Sequence, residues 1–412
     1  MRRRVAVTGV GVVSPLGNQL DAVWSRLMAG HSAVDVGRFK NAATETELAV
    51  PVARLPEGVL AAPARGIAGM TDRFTQMALQ AAASAVSDAN LDLASVDRSR
   101  VGVSNGTCMG GISETEVGFD TIYLRRRPKV HPFTVVRTMY NAPSSFVAAV
   151  FELTGPVLAY STTCSSSAVA IGEATRMIRH GYADTMIAGG SESLLTYSAI
   201  NCWHSAQLLA PIAGQPHQSC RPFSSDRNGT VLGEGAAFVV LESWEHAVAR
   251  GAPIRGEIVG YGCTADSGHM TQPSVSGQAR PMISALHDGG VRVDEIGYLQ
   301  AHGTGTKAND STETAAIKLA FGDHARALAI SSSKAQLGHL VGAAGAMGFV
   351  IALHALRTQS VPPTANLHQF DEACDLDYVP LEGRQKSGMS HAMCNSFGFG
   401  GTAVSLVLCS AS

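Results

Sequence analysis

The chain is 412 residues long, 45% hydrophobic and only 16% charged, with 31 basic residues against 33 acidic ones for a net charge of −2. That much apolar material supplies a large core and excludes intrinsic disorder, and a charged fraction well under the usual ~25% leaves apolar surface to be hidden in a subunit interface. The near-zero charge, without a concentrated basic stripe, excludes long-range steering of nucleic acid or anionic lipid.

The basic start Arg2-Arg3-Arg4 leads into an apolar stretch broken by Gly9, Gly11 and Pro15, which does not read as a signal peptide. No uninterrupted apolar run reaches roughly eighteen residues, so no membrane-spanning helix is expected. The eight cysteines are scattered, with no CxxC pair or metal-ligand cadence, and predict reduced thiols in the cytoplasm, most of them packing residues.

In chain order, RVAVTGVGVV (4–13) reads as a buried strand, and Thr71-Asp72 opens a helix with Phe74, Met77, Ala78, Ala81 and Val86 on one face. Strands follow at 101–104 and 156–161, a helix at 165–180 and a strand at 185–190. The second half alternates in the same way, with strand 254–261, helix 278–289, strand 296–300, helix 311–321, strand 327–331, apolar helix 342–355 and strand 404–409. This alternation predicts α/β layers with central sheets covered on both faces, and Arg250-Gly251-Ala252-Pro253 is the best seam between halves, although no repeat is visible in the sequence. Gly9-Val10-Gly11-Val12-Val13-Ser14 mimics a dinucleotide-binding fingerprint, but Ser14 replaces the third Gly and Pro15 stands where a helix should be under way. It reads as a strand-to-loop turn.

Four turns carry chemistry. In Ser161-Thr162-Thr163-Cys164-Ser165-Ser166-Ser167 a strand gives way to a helix at Cys164; free N–H groups and the helix dipole there are expected to favour thiolate and lower the thiol pKa. Ala301-His302-Gly303-Thr304-Gly305-Thr306 places a His at a strand end, on a loop close to backbone. Ser331 to His339 (SSSKAQLGH) repeats strand, turn, Lys334 and His339. Cys394 to Thr402 (CNSFGFGGT) is a Gly-rich turn with two aromatics. Singly, the Cys suits packing and the His a turn hydrogen bond; together, four strand-end turns suit one site at the edge of an α/β sheet.

These segments, in this order, resemble the signature of elongating β-ketoacyl–acyl carrier protein synthases, the ketosynthase branch of the thiolase superfamily. The likeness spans almost the whole chain and takes in VAVTGVGVVSPLG (5–17), Arg221-Pro222-Phe223, Asp226-Arg227-Asn228-Gly229, Gly233-Glu234-Gly235 and His269-Met270-Thr271. Within that family it is most similar to synthase II-type fatty acid enzymes and to ketosynthase subunits of type II polyketide systems. The resemblance implies a thiolase-like duplicated αβαβα layered sandwich, with residues 1–250 as the half bearing the nucleophile and 251–412 as the half bearing the His/Lys/His set and the Gly-Phe loop. The implied activity is decarboxylative Claisen condensation of an acyl group on Cys164 with malonyl–acyl carrier protein, in fatty acid or type II polyketide or polyene synthesis. His302 and His339 polarise the malonyl thioester, Lys334 sits behind them with Glu313 and Asp310 in a charge network, and Thr304 and Thr306 hold the phosphopantetheine arm. Phe399 gates the site and lends a backbone N–H to an oxyanion hole. Met109 forms the floor of the acyl pocket, with Trp203 nearby, and Phe133 reaches across a dimer interface.

No cofactor beyond the carrier's phosphopantetheine and no metal is implied. The implied partners are acyl carrier protein and a second subunit, either a copy of this chain or a chain-length-factor-like paralogue; no nucleic acid or membrane partner is expected. Two alternatives stand beside this: a ketosynthase active only with an inactive chain-length partner, and a non-catalytic scaffold subunit. Neutral imidazoles stabilise an enolate without quenching it, which suits two His and no acid beside the Cys; a cysteine hydrolase wants one oriented His and a water path. Departures from the family pattern are Gly401-Thr402 where Asn is common, Leu337 where Thr is usual, and Trp203 in place of a smaller aromatic. They point either to an acyl channel reshaped for a flat, conjugated chain or to ordinary core variation. The basic run Arg125-Arg126-Arg127-Pro128-Lys129 reads as a solvated face or as a landing site for an acidic carrier protein.

Overall fold

The computed structural model describes residues 2–63, 66–212 and 214–411. Ten strands form one bonded sheet: β1 (Val5–Val13), β2 (Val101–Gly106), β3 (Val157–Tyr160), β4 (Thr185–Glu192), β5 (Gly235–Ser243), β6 (Gly256–Ala265), β7 (Ile296–Gln300), β8 (Ala329–Ser331), β9 (His391–Phe397) and β10 (Thr402–Cys409). Their order is β8-β7-β9-β10-β6-β1-β5-β4-β2-β3. Outward from the centre, each half runs first, fifth, fourth, second and third strand of its own set. In each, the inner pairs are antiparallel and the outer pairs parallel. The topology is therefore duplicated, although the strands are too generically Val, Ile, Leu and Ala to show it in sequence. The halves meet in the sheet through Ala6↔Glu257 and Val7↔Gly256.

Five helices matter for the layers: α1 (Arg73–Asp88), α2 (Ser166–Arg179), α3 (Val275–Gly289), α4 (Lys307–Phe321) and α5 (Ala344–Thr358). The apolar faces of α2 and α5 share one core with both half-sheets, so they form a middle layer. α1 covers the far face of the first half through Phe74, Met77, Ala78 and Ala81, and α3 and α4 cover the far face of the second. Five layers, αβαβα, result.

One helix start differs from expectation, and two other readings gain a physical reason. Gly9 and Gly11 lie inside β1, as expected of a strand over 4–13, and the turn follows at Ser14–Gly17: a Cβ on either glycine would stand 2.1 and 2.0 Å from the Ala85 and Ala81 carbonyl oxygens, so they are glycines because α1 lies directly on the strand. The expected helix at 311 starts four residues earlier, since the Thr306 side chain caps it by accepting from the Asn309 N–H. And Val341–Thr358 is long and apolar enough to cross a bilayer, yet 83% of it is buried within the fold as the core helix α5 and the turn before it.

Candidate active site

The four turns all leave C-terminal strand ends: β3 leads to Cys164, β7 to His302, β8 to Lys334 and His339, and β9 to Phe399. Cys164 sits in a single tight turn, Thr163–Ser165, immediately before α2. Thr163 takes a left-handed φ of 55°, a costly conformation for a β-branched residue, and its hydroxyl donates to the Phe399 carbonyl at 2.9 Å. The turn presenting the sulfur is thus stitched to the turn presenting the aromatic. Glycine is required there: Gly401 has φ 83° and a Cβ would fall 2.0 Å from the Asp266 carbonyl oxygen. The turn closes through backbone bonds, Gly398 N–H to Thr402 O and Gly401 N–H to Gly398 O, so the missing Asn does not open it.

Cys164 Sγ lies 3.1 Å from His339 Nε2, and Sγ and one ring nitrogen of each of His302 and His339 all lie within 4.8 Å of one another. The two rings meet edge-on with centroids 5.5 Å apart. His339 Nδ1 accepts from the Val341 N–H at 3.2 Å, so the neutral ring carries its proton on Nε2, facing the sulfur. This tautomer argues against metal ligation by that nitrogen and against His339 as a base toward the thiol.

The His302 loop hangs from two buried carboxylates. Glu313 accepts from the His302 and Gly303 N–H groups, both at 2.8 Å, and Asp310 accepts from the Thr304, Gly305 and Phe223 N–H groups. Lys334 does not bond Glu313 directly; its ammonium donates to the His302 carbonyl and feels Glu313 through space. Burial first, and then the Lys334 charge, push both imidazoles well below the usual His range, so both are neutral.

The expected low thiol pKa is not found. Burial pushes Cys164 up to about 12, and the Lys334 charge and the N–H groups of Cys164 and Phe399 only partly offset it. The helix terminus is present as foreseen; desolvation by side chains from distant turns outweighs it. Those same two N–H groups converge on the sulfur.

A cleft of about 140 Å³, open to solvent, reaches Cys164, His302 and His339 past Thr304, Thr306, Trp203 and Phe399. The Thr304 and Thr306 hydroxyls are 2.9 Å apart on its wall. Trp203 stacks on Phe399 with centroids 6.1 Å apart and stands edge-on to His339. Met109 packs with Cys164 and Trp203 in one apolar cluster behind the nucleophile, and Leu337 is buried in the core formed by both half-sheets. Phe133 is 41% exposed and away from this chain's cleft, and Arg125–Lys129 is exposed throughout. Sequence reasoning missed Thr163, Val341 and Glu192, which act through backbone geometry, and the cleft residues Asp266 and Gln278. Only a small-residue turn around Thr163 and an acid closing an apolar strand at Glu192 were visible signals.

A strand-end cysteine facing two neutral imidazoles and two amide donors in a duplicated five-layer fold defines a thiolase-like acyl-transferring enzyme. Residues 2–247 match the family model for the β-ketoacyl synthase N-terminal domain and 255–368 that for the C-terminal domain. The chain belongs to the β-ketoacyl synthase family; it is an acyltransferase that condenses an acyl with a malonyl thioester. It is 41% identical to 3-oxoacyl-[acyl-carrier-protein] synthase 2 of Coxiella burnetii, covering 99% of this chain and 98% of that protein, and 39% identical to nodulation protein E of Rhizobium meliloti strain 1021, covering 98% of each. Among solved structures it is similar to the ishigamide ketosynthase/chain length factor (TM-score 0.91, 31% identity, all of both chains) and to a β-ketoacyl synthase from Burkholderia phymatum (TM-score 0.90, 34% identity, all of both chains).

Proposed function

We propose that Cys164 takes the acyl group from a carrier-protein thioester: the Sγ–acyl bond forms, the carrier's C–S bond breaks, and the thiol proton leaves with the carrier sulfur. Malonyl–acyl carrier protein then enters, His302 and His339 donate N–H bonds to its thioester oxygen, carbon dioxide departs, and the enolate carbon displaces Sγ. The observation that carries this reading is the Val341 N–H bonded to His339 Nδ1, which assigns the ring proton to Nε2 beside the sulfur. A hydrolase needs a base there; a condensing enzyme needs a donor. Thr304 and Thr306 line the path of the phosphopantetheine arm, which is the only prosthetic group the reading requires. Lys334, Glu313 and Asp310 fix the His302 loop and its charge state.

With an acyl donor alone, the enzyme is expected to stall as an acyl adduct on Cys164, detected by intact mass, and to turn over only when malonyl carrier protein is added. Steady release of free acid without malonyl donor would identify a thioesterase instead.

The reading extends to partners and chain organisation. We place the division between halves at residue 250, supported by the repeated strand order. Edge strand β3 and exposed Phe119, Tyr123, Phe133, Val135 and Tyr140 support a second thiolase-like subunit, either a copy or a paralogue, with Phe133 crossing to the partner's pocket. Arg125–Lys129 supports an acidic carrier protein as partner. Eight unpaired cysteines support a reducing, cytoplasmic setting. The flat Trp203–Phe399 wall supports a conjugated acyl chain, and rates with saturated, polyenoyl and aryl donors separate fatty acid from polyketide use. Phe399→Ala is expected to erase most of the rate difference between short and long donors; selectivity unchanged by the substitution would remove the gate.

A further inference from the structure

Glu192 closes β4 with its side chain fully buried, and no step above uses it. Its carboxylate accepts four hydrogen bonds from two separate segments. Oε2 accepts from the Cys108 N–H at 2.6 Å and the Gly342 N–H at 3.1 Å. Oε1 accepts from the Thr107 hydroxyl at 3.2 Å and the Met109 N–H at 3.3 Å. One segment is the turn that leaves β2 and carries Met109; the other follows His339. The fit leaves no slack: a Cβ on Gly342 would lie 2.4 Å from Glu192 Oε2 and 2.5 Å from the Cys108 nitrogen.

Between His339 and Gly342 stands Val341, whose N–H fixes the imidazole tautomer. Val341 has φ 44°, a region a β-branched residue occupies only when its surroundings impose it. The charge-assisted bond from Gly342 to Glu192, next door, is such a constraint, since bonds to an ionised acceptor are roughly twice as strong as neutral ones.

We infer that Glu192 is a positioning residue for His339: by clamping Gly342 it keeps the Val341 N–H on Nδ1 and the ring as an Nε2–H donor, and with its other oxygen it ties this segment to the turn under the acyl pocket. The inference rests on the role proposed for His339. Burial pushes the Glu192 carboxyl up to about 7, as expected of a carboxylate held by dipoles with no cation bonded to it.

The test compares two half-reactions in the full-length protein. Glu192→Gln keeps the shape but turns an NH2 toward one of the N–H donors. Acyl transfer is timed by intact mass with Cys164 present, and malonyl decarboxylation by carbon dioxide release in a Cys164→Gln background, each with and without the Glu192 change. Decarboxylation is expected to fall about tenfold or more, the range typical when a bond orienting a functional His is lost, with acyl transfer nearly unchanged. The ¹⁵N shifts of labelled histidine should report loss of the single Nε2–H form. Equal loss in both half-reactions, or none, overturns the inference and leaves Glu192 a structural plug. If the Cys164→Gln protein with Glu192 intact fails to decarboxylate, the role of His339 has failed first, and this inference with it. Thr107→Val, which removes one donor without adding a polar group, is expected to give a smaller loss in decarboxylation alone; an unchanged rate counts against the clamp even if Glu192→Gln does not fold.

Discussion

Cys164→Gln is expected to end condensation while malonyl decarboxylation continues. Condensation needs the sulfur twice, to accept the acyl group and to leave again, and an amide side chain does neither. The loss should be at least ~10⁴-fold, in the range found when the nucleophile of a covalent mechanism is removed. Decarboxylation uses different atoms. The two imidazoles are held from behind, His302 by the bonds of Glu313 to its loop and His339 by the Val341 N–H, and neither hold passes through the cysteine side chain. A glutamine carbonyl is expected to accept from the N–H groups of residues 164 and 399 that face the sulfur, so the variant should resemble the acylated state. Cys164→Ala should lose condensation equally while keeping the fold, because a buried thiol behaves as a small apolar group. The measurements are β-ketoacyl product and carbon dioxide release on the same samples. Loss of both activities in Cys164→Gln, with thermal stability intact, would show that the sulfur takes part in decarboxylation and would end the division of labour.

The parts of this site that could be read in the sequence are those where chemistry and local backbone coincide. Cys164, His302, Lys334 and His339 each follow a short, largely apolar strand and adjoin small residues, so their placement at a sheet edge follows from local pattern. The duplicated topology came only through the family resemblance and not as a visible repeat, because strand order depends on pairing between distant segments whose side chains are interchangeable. The reason for Gly9 and Gly11 was hidden for a related cause: a glycine in a strand signals a close approach without saying whether helix or ligand approaches. The thiol pKa went wrong in an instructive direction. The helix terminus beside Cys164 is a local feature, whereas the burial that dominates comes with an apolar cluster gathered from distant segments, Leu194, Ile200, Trp203 and Val341 among them. Val341 was invisible because it acts through its own backbone N–H, which carries no residue signature, and Glu192 showed only as an acid ending an apolar strand.

Their neutrality gives the histidines a pH signature, and with it comes the second large effect. Burial and the Lys334 charge hold His302 and His339 well below 6.5, so both stay neutral from about pH 6 to 8. Carbon dioxide release by Cys164→Gln should therefore show no imidazole limb across that window; a decline on acidification through about 7 would report protonation of the Glu192 carboxylate that holds the Val341 turn. Acyl transfer by the unaltered protein should behave oppositely: with the thiol pushed up to about 12, each added pH unit raises the thiolate fraction about tenfold, so transfer climbs throughout. Stability follows the same sign, since an unfolded chain binds protons at these histidines near 6.5 and the folded one does not; the fold loses stability as pH drops below that value. Against this background His339→Ala should lower decarboxylation by ~10²–10³-fold, the effect of one preorganised donor, without introducing a new pH limb. If release instead declined as pH rose through 6.5, imidazolium would be the working form, and the Val341 bond to Nδ1 would have to break during turnover.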